Sequence, residues 1–524
     1  MPERAREAAL FSVSDKHGVE DVARALHARG VAIYATGGTR SYLVDCGVPA
    51  QDVESITGFP ALFGGRVKTL HPKVFGAILY DRSTEEHRAQ IEQYAMPSIV
   101  AVVVNLYPFE ATVAREGTTL EEAIEQIDIG GVALLRAAAK NAAHVAVLTD
   151  PSQYPRYLAA LESGEVPNGL RRRLAVAAFE RTASYDIAIS HYLATKGELL
   201  PSDLPGALTL ALPLAQRLRY GTNPQERAAF YLGREDRVPE QLHGKALSYN
   251  NLLDLDATLR LLSRAALGAE YGSERERFVR AAVVKHTVPC GVAQRSTVGK
   301  AVRDAIAADP VSAFGGIVAT DTRLDAVAAR ALAEVFLEIV AAPEYDDDAL
   351  EILRKKKNLR IMRFTPELPD ELAAELRVRS ALGGVLAEEN DPNAEPERWS
   401  VVSKRVPDDR EWHDLAFAWD IVRHVKSNGI VIVKGGTTRG ICAGQTNRVS
   451  AVQIAAHRAG ELAVGGSCAS DGFFPFADGL EAAIAAGVTA VIAPGGSVRD
   501  AEVIAAADRA GIALVFSSYR YFLH

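Results

Sequence analysis

Two short segments of this chain carry side chains suited to chemistry, and they differ in kind. Arg66–Pro72 (R-V-K-T-L-H-P) follows two glycines and offers cations and a hydroxyl, whereas Lys285 and His286 directly follow an apolar run. A strand ending at this pair would deliver both side chains at the C-terminal edge of a sheet, where α/β proteins bind ligands. Neighbouring strand residues point to opposite faces, so both can serve one reaction only if the strand ends or twists there, as Pro289 and Gly291 indicate. The two segments predict two chemistries on one polypeptide.

Two further polar loops, at residues 12–18 and 36–40, each follow a strand-like run. The second reads T-G-G-T-R, in which glycines let the backbone approach a ligand while N–H groups and hydroxyls face an anion. Alone, such a loop is typical of a turn with a helix cap. Two of them at one sheet edge predict a phosphate pocket. The basic segment at 66–71 suits a cationic wall over such an anion, although a solvated basic loop has the same composition.

Two more pairs of polar residues are candidates for ligand contact. Asn105 and Tyr107 end an apolar run and, being two apart, share one face of a strand. A turn-making Asn and a core-capping Tyr explain them equally well. Asp128 lies near the start of a predicted helix and Lys140 near its end. A straight helix from Gly131 to Lys140 spans roughly 13 Å, at about 1.5 Å per residue. Helix capping and compensation of the helix dipole are the structural alternatives for these two.

The elements that must position these residues alternate along the first 200 residues. Strand-like runs occur at 9–13, 31–35, 99–104 and 144–148, separated by helical patterns. This alternation predicts a parallel sheet covered by helices. A helix is predicted around 171–194, followed by a linker at 195–211 that marks a domain boundary.

The remainder of the chain again has α/β character. Strand-like runs lie at 281–284, 316–319, 430–433, 489–492 and 513–516. A polar stretch at 268–277 predicts a surface loop, and one at 388–397 predicts a second boundary. The resulting division is 1–198, 199–390 and 391–524, with the last two as related subdomains.

Bulk properties exclude several classes of protein. The 524 residues, 48% hydrophobic and 24% charged, provide material for several buried cores. A net charge of -8 argues against general affinity for nucleic acid. The N-terminus lacks the order of a secretory signal and no apolar stretch is long enough to span a membrane, so we expect a cytoplasmic protein without membrane attachment. The four cysteines lack a C-x-x-C spacing, which supports neither a disulfide framework nor a zinc knuckle.

Taken in order, the motifs resemble one family over nearly the whole chain. They are S-D-K, T-G-G-T, R-V-K-T-L-H-P, N-L-Y-P-F, D-I-G-G and R-A-A-A-K-N, then L-R-Y-G, S-Y-N-N-L-L-D, K-H, D-P-V-S-A-F-G-G, S-N-G, A-S-D-G-F-F-P-F and P-G-G-S. The chain is similar to the bifunctional purine biosynthesis proteins. These combine a formyltransferase for aminoimidazole carboxamide ribonucleotide with inosine monophosphate cyclohydrolase.

For the N-terminal domain, the resemblance implies a methylglyoxal-synthase-like fold that closes the purine ring with loss of water. Attack on the formyl carbon creates an oxyanion, which suitably placed donors stabilise. The resemblance assigns oxyanion stabilisation and proton transfer to Lys68 and Tyr107, amide activation to Asp128, and a place in the same site to Lys140. Nucleotide and phosphate contacts are implied for Ser14, Lys16, Thr36, Gly37, Gly38, Thr39, Arg66, Thr69 and Asn105.

For the C-terminal part, the resemblance implies two cytidine-deaminase-like subdomains without catalytic metal. They would transfer a formyl group from 10-formyltetrahydrofolate, as co-substrate, to the 5-amino group of the ribonucleotide. That amine is a poor nucleophile and needs a base, for which His286 beside Lys285 is suited. Asn428 and His524 would place the formyl group and orient the pair. Nucleotide or folate contacts are implied for Arg219, Tyr220, Asn250, Glu338, Arg448, Phe473, Asp478 and Arg520.

Some features depart from the family pattern. Val288 stands where the family usually has Asn, which removes a donor and an acceptor beside the catalytic pair, and Thr222, Gln225 and Glu226 alter the L-R-Y-G-E-N-P-H-Q motif. These changes concern the affinity for folate and the preferred formyl donor. The family also implies a homodimer.

Two rival functions account for fewer of these motifs. A zinc nucleotide deaminase would require P-C-x-x-C, and the segment after Cys290 lacks the second Cys. A non-catalytic nucleotide-sensing module suits the loops at 12–18 and 36–40, but it explains neither the Lys-His pair nor the second set of motifs.

Overall fold

The computed structural model describes residues 7–115, 117–196, 204, 206–234, 237–263, 278–389 and 397–524. The chain forms two compact units, Met1–Ala211 and Leu212–His524. Each unit is built around its own sheets, and the candidate site residues divide between them.

The first unit contains one five-stranded sheet in the order β3-β2-β1-β4-β5. Its strands are β1 (Glu7–Val13), β2 (Ala32–Ala35), β3 (Ala50–Asp52), β4 (Ser98–Asn105) and β5 (Ala146–Leu148). Every pairing in this sheet is parallel. The predicted parallel sheet is confirmed, and each of the four apolar runs forms a strand because its residues are buried on both faces.

Helices cover this sheet and build one apolar core with it. Their bounds are α1 (Val19–His27), α2 (Gly37–Asp45), α3 (Glu54–Thr57), α4 (Pro72–Leu79), α5 (Glu85–Gln93), α6 (Phe109–Val113), α7 (Leu120–Glu125), α8 (Gly130–Lys140), α9 (Tyr154–Glu162) and α10 (Asn168–Lys196). The linker predicted from residue 195 begins too early, because α10 continues through Lys196. Residues 197–203 and 205 of that predicted linker lie outside the described residues.

The second unit contains two six-stranded sheets and two short hairpins. The strands are β6 (Leu214–Leu218), β7 (Ala228–Tyr231), β8 (Glu240–His243), β9 (Val279–Lys285), β10 (Val288–Arg295), β11 (Ile317–Thr320), β12 (Ile339–Ala342), β13 (Arg360–Arg363), β14 (Arg377–Ala381), β15 (Gly384–Glu388), β16 (Trp399–Val401), β17 (Ile430–Val433), β18 (Thr438–Cys442), β19 (Ser467–Ser470), β20 (Ala490–Pro494) and β21 (Ala513–Ser517). The predicted strand-like runs all form strands in these sheets.

The helices of the second unit follow the same alternation. They are α11 (Tyr249–Leu262), α12 (Val298–Ala308), α13 (Pro310–Ala313), α14 (Ala326–Ala333), α15 (Asp347–Arg354), α16 (Leu368–Ala374), α17 (Asp409–Val422), α18 (Arg448–Ala459), α19 (Ala477–Ala485) and α20 (Asp500–Ala510). The predicted loop at 268–277 lies wholly outside the described residues, since 264–277 are not described. The predicted boundary at 388–397 likewise falls mostly on undescribed residues, 390–396.

The two large sheets have one topology. The first runs β10-β9-β11-β12-β13-β8, and the second, taken from its matching end, runs β18-β17-β19-β20-β21-β16. In each, an antiparallel hairpin pairs antiparallel with the first of three parallel strands, and an antiparallel strand closes the other edge. Two successive halves of this unit therefore repeat the same fold.

A shared core joins these halves. Helices α11 and α17 contribute leucines such as Leu255 and Leu415 to an apolar cluster that includes buried residues of both sheets. A buried ion pair crosses the same region, with Arg280 Nη2 2.7 Å from Asp420 Oδ2. Burial alone would raise the pKa of Asp420, but the adjacent Arg280 and Arg423 guanidinium groups outweigh it and lower that pKa. Buried ion pairs are expensive to desolvate, and removing either partner would leave an uncompensated buried charge, which strongly destabilises a fold.

Candidate active sites

The first cluster lies at the carboxyl ends of β1, β2 and β4. Ser14 Oγ donates to Asn105 Oδ1 at 2.9 Å, and Thr39 Oγ1 donates to the Val13 carbonyl at 3.1 Å. Lys16 Nζ lies 3.4 Å from Thr39 Oγ1. Burial lowers the pKa of Lys16, and the nearby Asp15 opposes this shift. The two predicted polar loops therefore meet at one sheet edge around a partly desolvated ammonium group.

Helix α2 begins inside this cluster. Thr36 is its N-cap residue, with an extended backbone, and its hydroxyl lies 2.9 Å from that of Ser12. Gly37 and Gly38 form the first turn of α2, and a Cβ on either glycine would stand in open space. The first N–H groups of a helix have no intrahelical acceptor, and they attract an anion. The T-G-G-T loop has the geometry of a phosphate site.

A second cluster surrounds Asp128. Its Oδ1 accepts the Gly131 N–H at 2.7 Å, and the carboxylate also accepts the backbone N–H of Tyr107. Burial raises the pKa of Asp128, while these two hydrogen bonds and the charge of Lys68 oppose the rise. The contact from Tyr107 comes from its backbone, and this residue is 43% exposed, which leaves its hydroxyl available to a ligand. The structure thus brings Lys68, Tyr107 and Asp128 together.

The remaining predicted residues of the first unit are placed differently. Thr69 is buried, and its Oγ1 would lie 3.0 Å from a Cβ on Gly130, so the basic segment packs tightly against the start of α8. Lys140 is at the other end of α8, and it lines with Asp128 a groove of about 850 Å³. Arg66 forms an exposed ion pair with Glu125. The structure therefore directs Arg66 toward α7 and not into the Asp128 cluster.

In the second unit, Lys285 ends β9 and His286 opens a tight turn into β10. Lys285 Nζ donates to the Phe314 carbonyl at 2.7 Å. His286 and Thr287 both have left-handed backbones, with φ of 56° and 60°. This turn replaces regular strand geometry, so the two neighbouring side chains are not constrained to opposite faces. Lys285 is half-buried and His286 is exposed, which is the placement expected of groups that meet a ligand.

A cavity of about 940 Å³ lies next to this turn. Phe336 lines it, and the ring of Phe336 packs 5.1 Å from that of Phe314, whose carbonyl binds Lys285. One anionic side chain, Glu338, faces six cationic residues in the lining, which are Arg217, Arg219, Lys245, Lys356, Lys357 and Arg360. The excess of positive charge suits a phosphorylated ligand.

Four predicted binding residues belong to this cavity or its rim. The Arg219 guanidinium stacks 4.7 Å above the ring of Tyr220, and both line the cavity. Glu338 accepts from Arg360 at 2.6 Å. Asn250 lies beside the lining residue Asn251, and its amide donates to the Thr222 carbonyl at 3.2 Å. Sequence reasoning missed Lys356, whose pKa is lowered by burial.

A third polar cluster is centred on Arg448. This buried guanidinium donates to Asn428 Oδ1 at 2.6 Å, to Ser470 Oγ at 3.0 Å, and to Asp471. The Asn428 amide also donates to the Gln445 carbonyl at 2.9 Å. The side-chain oxygen and nitrogen of Asn428 are therefore both fixed. Asp471 was not predicted, although its position directly after β19, at the carboxyl end of a parallel strand, was a usable signal.

The C-terminal tail closes over this cluster. The Tyr521 N–H donates to the Asp471 carbonyl, and the Ser427 N–H donates to the Leu523 carbonyl, both at 2.9 Å. His524 is exposed at the end of this tail, and Arg520 lies 4.8 Å from the Phe522 ring. The tail brings both predicted residues to the Asn428 cluster.

Glu397, another residue that sequence reasoning missed, holds the base of the tail. Its carboxylate accepts from Trp399 Nε1 at 3.0 Å, from Trp419 Nε1 at 2.8 Å and from the Tyr521 hydroxyl at 2.9 Å. It also accepts from Ser517. Its donors are up to 124 residues away along the chain, so no local sequence pattern predicts that Glu397 holds the tail.

The aromatic segment after Asp471 has two environments. Phe474 is 2% exposed and belongs to an apolar core, whereas Phe473 is 37% exposed. Asp478 stands in the first turn of α19, where its carboxylate accepts the Gly479 N–H at 2.7 Å. Phe473 therefore remains a candidate for ring contact, while Phe474 packs the core.

Strand direction places the Lys285 turn and the Asn428 cluster at the same end of the second unit. Residues of β10 and β18 approach in antiparallel fashion, with Ala293 bridged to Thr437 and the Val292 N–H donating to Thr438 Oγ1 at 2.9 Å. Continued in register, the Val288 end of β10 lies beside the Cys442 end of β18. Asn428 is bonded to Gln445, just beyond that end.

The geometry also bears on zinc chemistry. Burial raises the pKa of the Cys290 thiol to about 11, so this thiol is protonated at neutral pH. Among the residues that the structure describes, no group of three or more His, Cys, Asp or Glu side chains is arranged to hold a metal ion. Within the same residues, no helix has the length and apolarity to cross a membrane.

Comparisons with known proteins give one consistent result. The AICARFT/IMPCHase bienzyme family model matches residues 138–458, and the MGS-like domain model matches residues 18–133. A bifunctional purine biosynthesis protein PurH from Prochlorococcus marinus (strain MIT 9313) is 49% identical over 520 residues, covering 98% of this chain and 99% of the relative. PurH proteins from Synechococcus sp. (strain CC9311) and Desulfitobacterium hafniense (strain DSM 10664 / DCB-2) are 48% and 46% identical, with the same coverage.

Proposed function

This chain belongs to the AICARFT/IMPCHase bienzyme family and catalyses the last two steps of purine synthesis, and we propose that each reaction has its own site in its own compact unit. The first step adds a formyl group to the amine of aminoimidazole carboxamide ribonucleotide, and the second closes the ring to inosine monophosphate. The proposal rests on one observation: both units contain polar clusters. In each unit, a positively charged site for an anion lies beside candidate proton-transfer groups.

We assign ring closure to the first unit. The Thr36–Thr39 turn, Lys16 and Ser14 would hold the nucleotide phosphate at the start of α2. Lys68 and the Tyr107 hydroxyl would stabilise the oxyanion and transfer protons as the carboxamide nitrogen attacks the formyl carbon. Asp128, whose raised pKa brings it nearer the range of a useful base, would activate the amide.

We assign formyl transfer to the second unit. The cationic cavity lined by Arg219, Tyr220 and Glu338 would bind the ribonucleotide. His286 would take the proton from the amine as it attacks, and Lys285 would neutralise the oxyanion of the tetrahedral intermediate. Asn428, with both ends of its amide fixed, would orient the formyl group.

The formyl donor in this proposal is 10-formyltetrahydrofolate. The exposed ring of Phe473 and the C-terminal residues Arg520 and His524 would contact its ring and charged groups. We place the subdomain boundaries at 198 and 390, since the strands of the first large sheet end at Arg363 and those of the second begin at Trp399. The four cysteines are free, and we propose a cytoplasmic location, where thiols stay reduced.

We further propose that the protein is a homodimer. The β14–β15 hairpin supports this, since Val378, Leu382, Val385 and Leu386 are all exposed on it. A two-stranded hairpin with exposed apolar side chains is marginally stable in water unless another surface covers it. Light scattering should give twice the chain mass, and Leu382→Glu with Leu386→Glu should reduce it to one chain.

The assignment is tested by measuring each reaction separately in two variants. His286→Ala should lower formyl transfer by about 10²–10⁴-fold, because the base is removed, and leave closure of supplied formylated nucleotide within about twofold. Lys68→Ala should do the reverse. A folded variant that loses both reactions would contradict two independent sites.

A further inference from the structure

The repeated topology identifies a second copy of the Lys285 turn. A Cβ on Gly316 would stand 3.0 Å from the Val284 carbonyl, and one on Gly466 would stand 2.9 Å from the Val433 carbonyl. These matched contacts align Val284 with Val433, and therefore Lys285 with Lys434. The two lysine amines also make matching contacts. Lys434 Nζ donates to the Val464 carbonyl at 2.8 Å, as Lys285 Nζ donates to the Phe314 carbonyl.

The residues after the two lysines differ. Gly435 and Gly436 occupy the second turn with φ of 59° and 65°, nearly the angles of His286 and Thr287. Glycine adopts this left-handed region without strain, whereas a β-branched residue such as threonine is an outlier there. The first turn thus holds a conformation that its own residues disfavour.

Each turn is held by an aspartate from the helix packed beneath it. Asp254 on α11 accepts the Thr287 N–H at 2.6 Å. Asp414, at the matching place on α17, accepts the N–H groups of Gly435 at 2.8 Å and Gly436 at 2.7 Å. The same device therefore occurs twice, and in the first half it restrains a turn that carries the proposed base.

We propose that Asp254 is a positioning residue for formyl transfer, whose carboxylate holds the left-handed turn that presents His286 beside Lys285. The inference rests on the proposed assignment of His286 as the base. The hydrogen bond that Asp254 accepts comes from the Thr287 backbone N–H, so Asp254 acts through the backbone and does not need to touch the substrate. Its effect is on the direction of the His286 ring.

The test compares Asp254→Ala with Asp254→Asn in the full-length enzyme. Asp254→Ala should lower kcat for formyl transfer by about 10²-fold, the effect of a small misplacement of a catalytic group, and change the KM for the ribonucleotide less than about threefold. Asp254→Asn keeps an acceptor oxygen and should recover activity to within about fivefold of wild type. Ring closure of supplied formylated nucleotide should be unchanged in both variants.

The control is Asp414→Ala, which makes the matched change under the glycine turn and should leave formyl transfer within about twofold, because that turn carries no proposed base. The proposal is overturned if Asp254→Ala keeps a wild-type kcat, or if the Asn variant is as impaired as the Ala variant. A wrong assignment of His286 as the base would show separately, because His286→Ala would then keep full formyl transfer. That result does not depend on the Asp254 variants.

Discussion

The two halves of the second unit share a strand order but contribute different things to the proposed site. The first half provides a strained turn with His286 and a cavity rich in cations. The second half has glycines in the equivalent turn, but it provides the fixed Asn428–Arg448–Asp471 cluster and the C-terminal tail. Two copies of one fold can therefore carry different functional groups, with reactive groups in one copy and orienting groups in the other.

The largest test of this contrast is the pair of equivalent lysines. Lys285→Ala should lower formyl transfer by about 10²–10⁴-fold, because a cation beside the base and the oxyanion is lost. Lys434→Ala removes the same contact to a carbonyl in the other half and should change transfer less than about twofold. Steady-state kinetics of both variants give the comparison directly. Equal losses would mean that the halves do not divide their roles as described.

Asp128 in the first unit provides a reference, since it also accepts backbone N–H groups but is proposed to act on the substrate. Asp128→Asn should lower ring closure by about 10²-fold or more. The raised pKa means that the folded protein favours the protonated carboxyl, so ionised Asp128 lowers stability at neutral pH and this penalty fades on acidification.

Melting curves check the sign of this effect. Asp128→Asn should melt at a higher temperature than wild type at pH 7, and the difference should narrow as the pH falls through the pKa of Asp128. A lower melting temperature at pH 7 would show that its hydrogen bonds to Gly131 and Tyr107 outweigh the burial of charge.

Relaxing the strained turn should raise the free energy of unfolding and lower formyl transfer, both by smaller amounts. Thr287→Gly removes about 1–3 kcal/mol of strain and loses roughly 0.5–1 kcal/mol to the greater freedom of the unfolded chain. We expect a gain of about 1 kcal/mol in unfolding free energy and a fall of about tenfold in formyl transfer, as His286 becomes less restrained. Denaturant titration and transfer kinetics on the same preparation test both.

The matched control reverses the change in the second half. Gly436→Ala places a Cβ at φ of 65° and 3.3 Å from Arg295 Nη1, and should cost about 1–2 kcal/mol of stability without altering transfer. A stability gain there, or a loss in Thr287→Gly, would show that backbone strain does not distinguish the two turns.

The features that local sequence determines, such as buried strands, were predicted from local patterns. Buried parallel strands such as β4 and β9 appear as apolar runs, and Lys285 and His286 were found because they follow one. The end of α10 was placed two residues too early, since helix ends depend on tertiary contacts that override propensity. Asp254 and Glu397 were missed because their partners lie 33 and up to 124 residues away, and only the folded chain joins them.

At Arg66 the sequence motif and the geometry point to different partners. Its motif is specific, but its guanidinium pairs with Glu125 at the surface. A surface ion pair of this kind is worth about 0–1 kcal/mol, so binding of an anionic ligand could redirect the side chain at little expense. The nucleotide contact proposed for Arg66 therefore stays a prediction that the present geometry does not supply.

The most direct measurement of the central claim mixes His286→Ala with Lys68→Ala in the presence of aminoimidazole carboxamide ribonucleotide and 10-formyltetrahydrofolate. Neither variant alone should form inosine monophosphate at an appreciable rate. Together they should form it after a lag, because the Lys68 variant releases formylated nucleotide and the His286 variant closes its ring. A mixture of two folded variants that forms no inosine monophosphate would contradict separate sites for the two reactions.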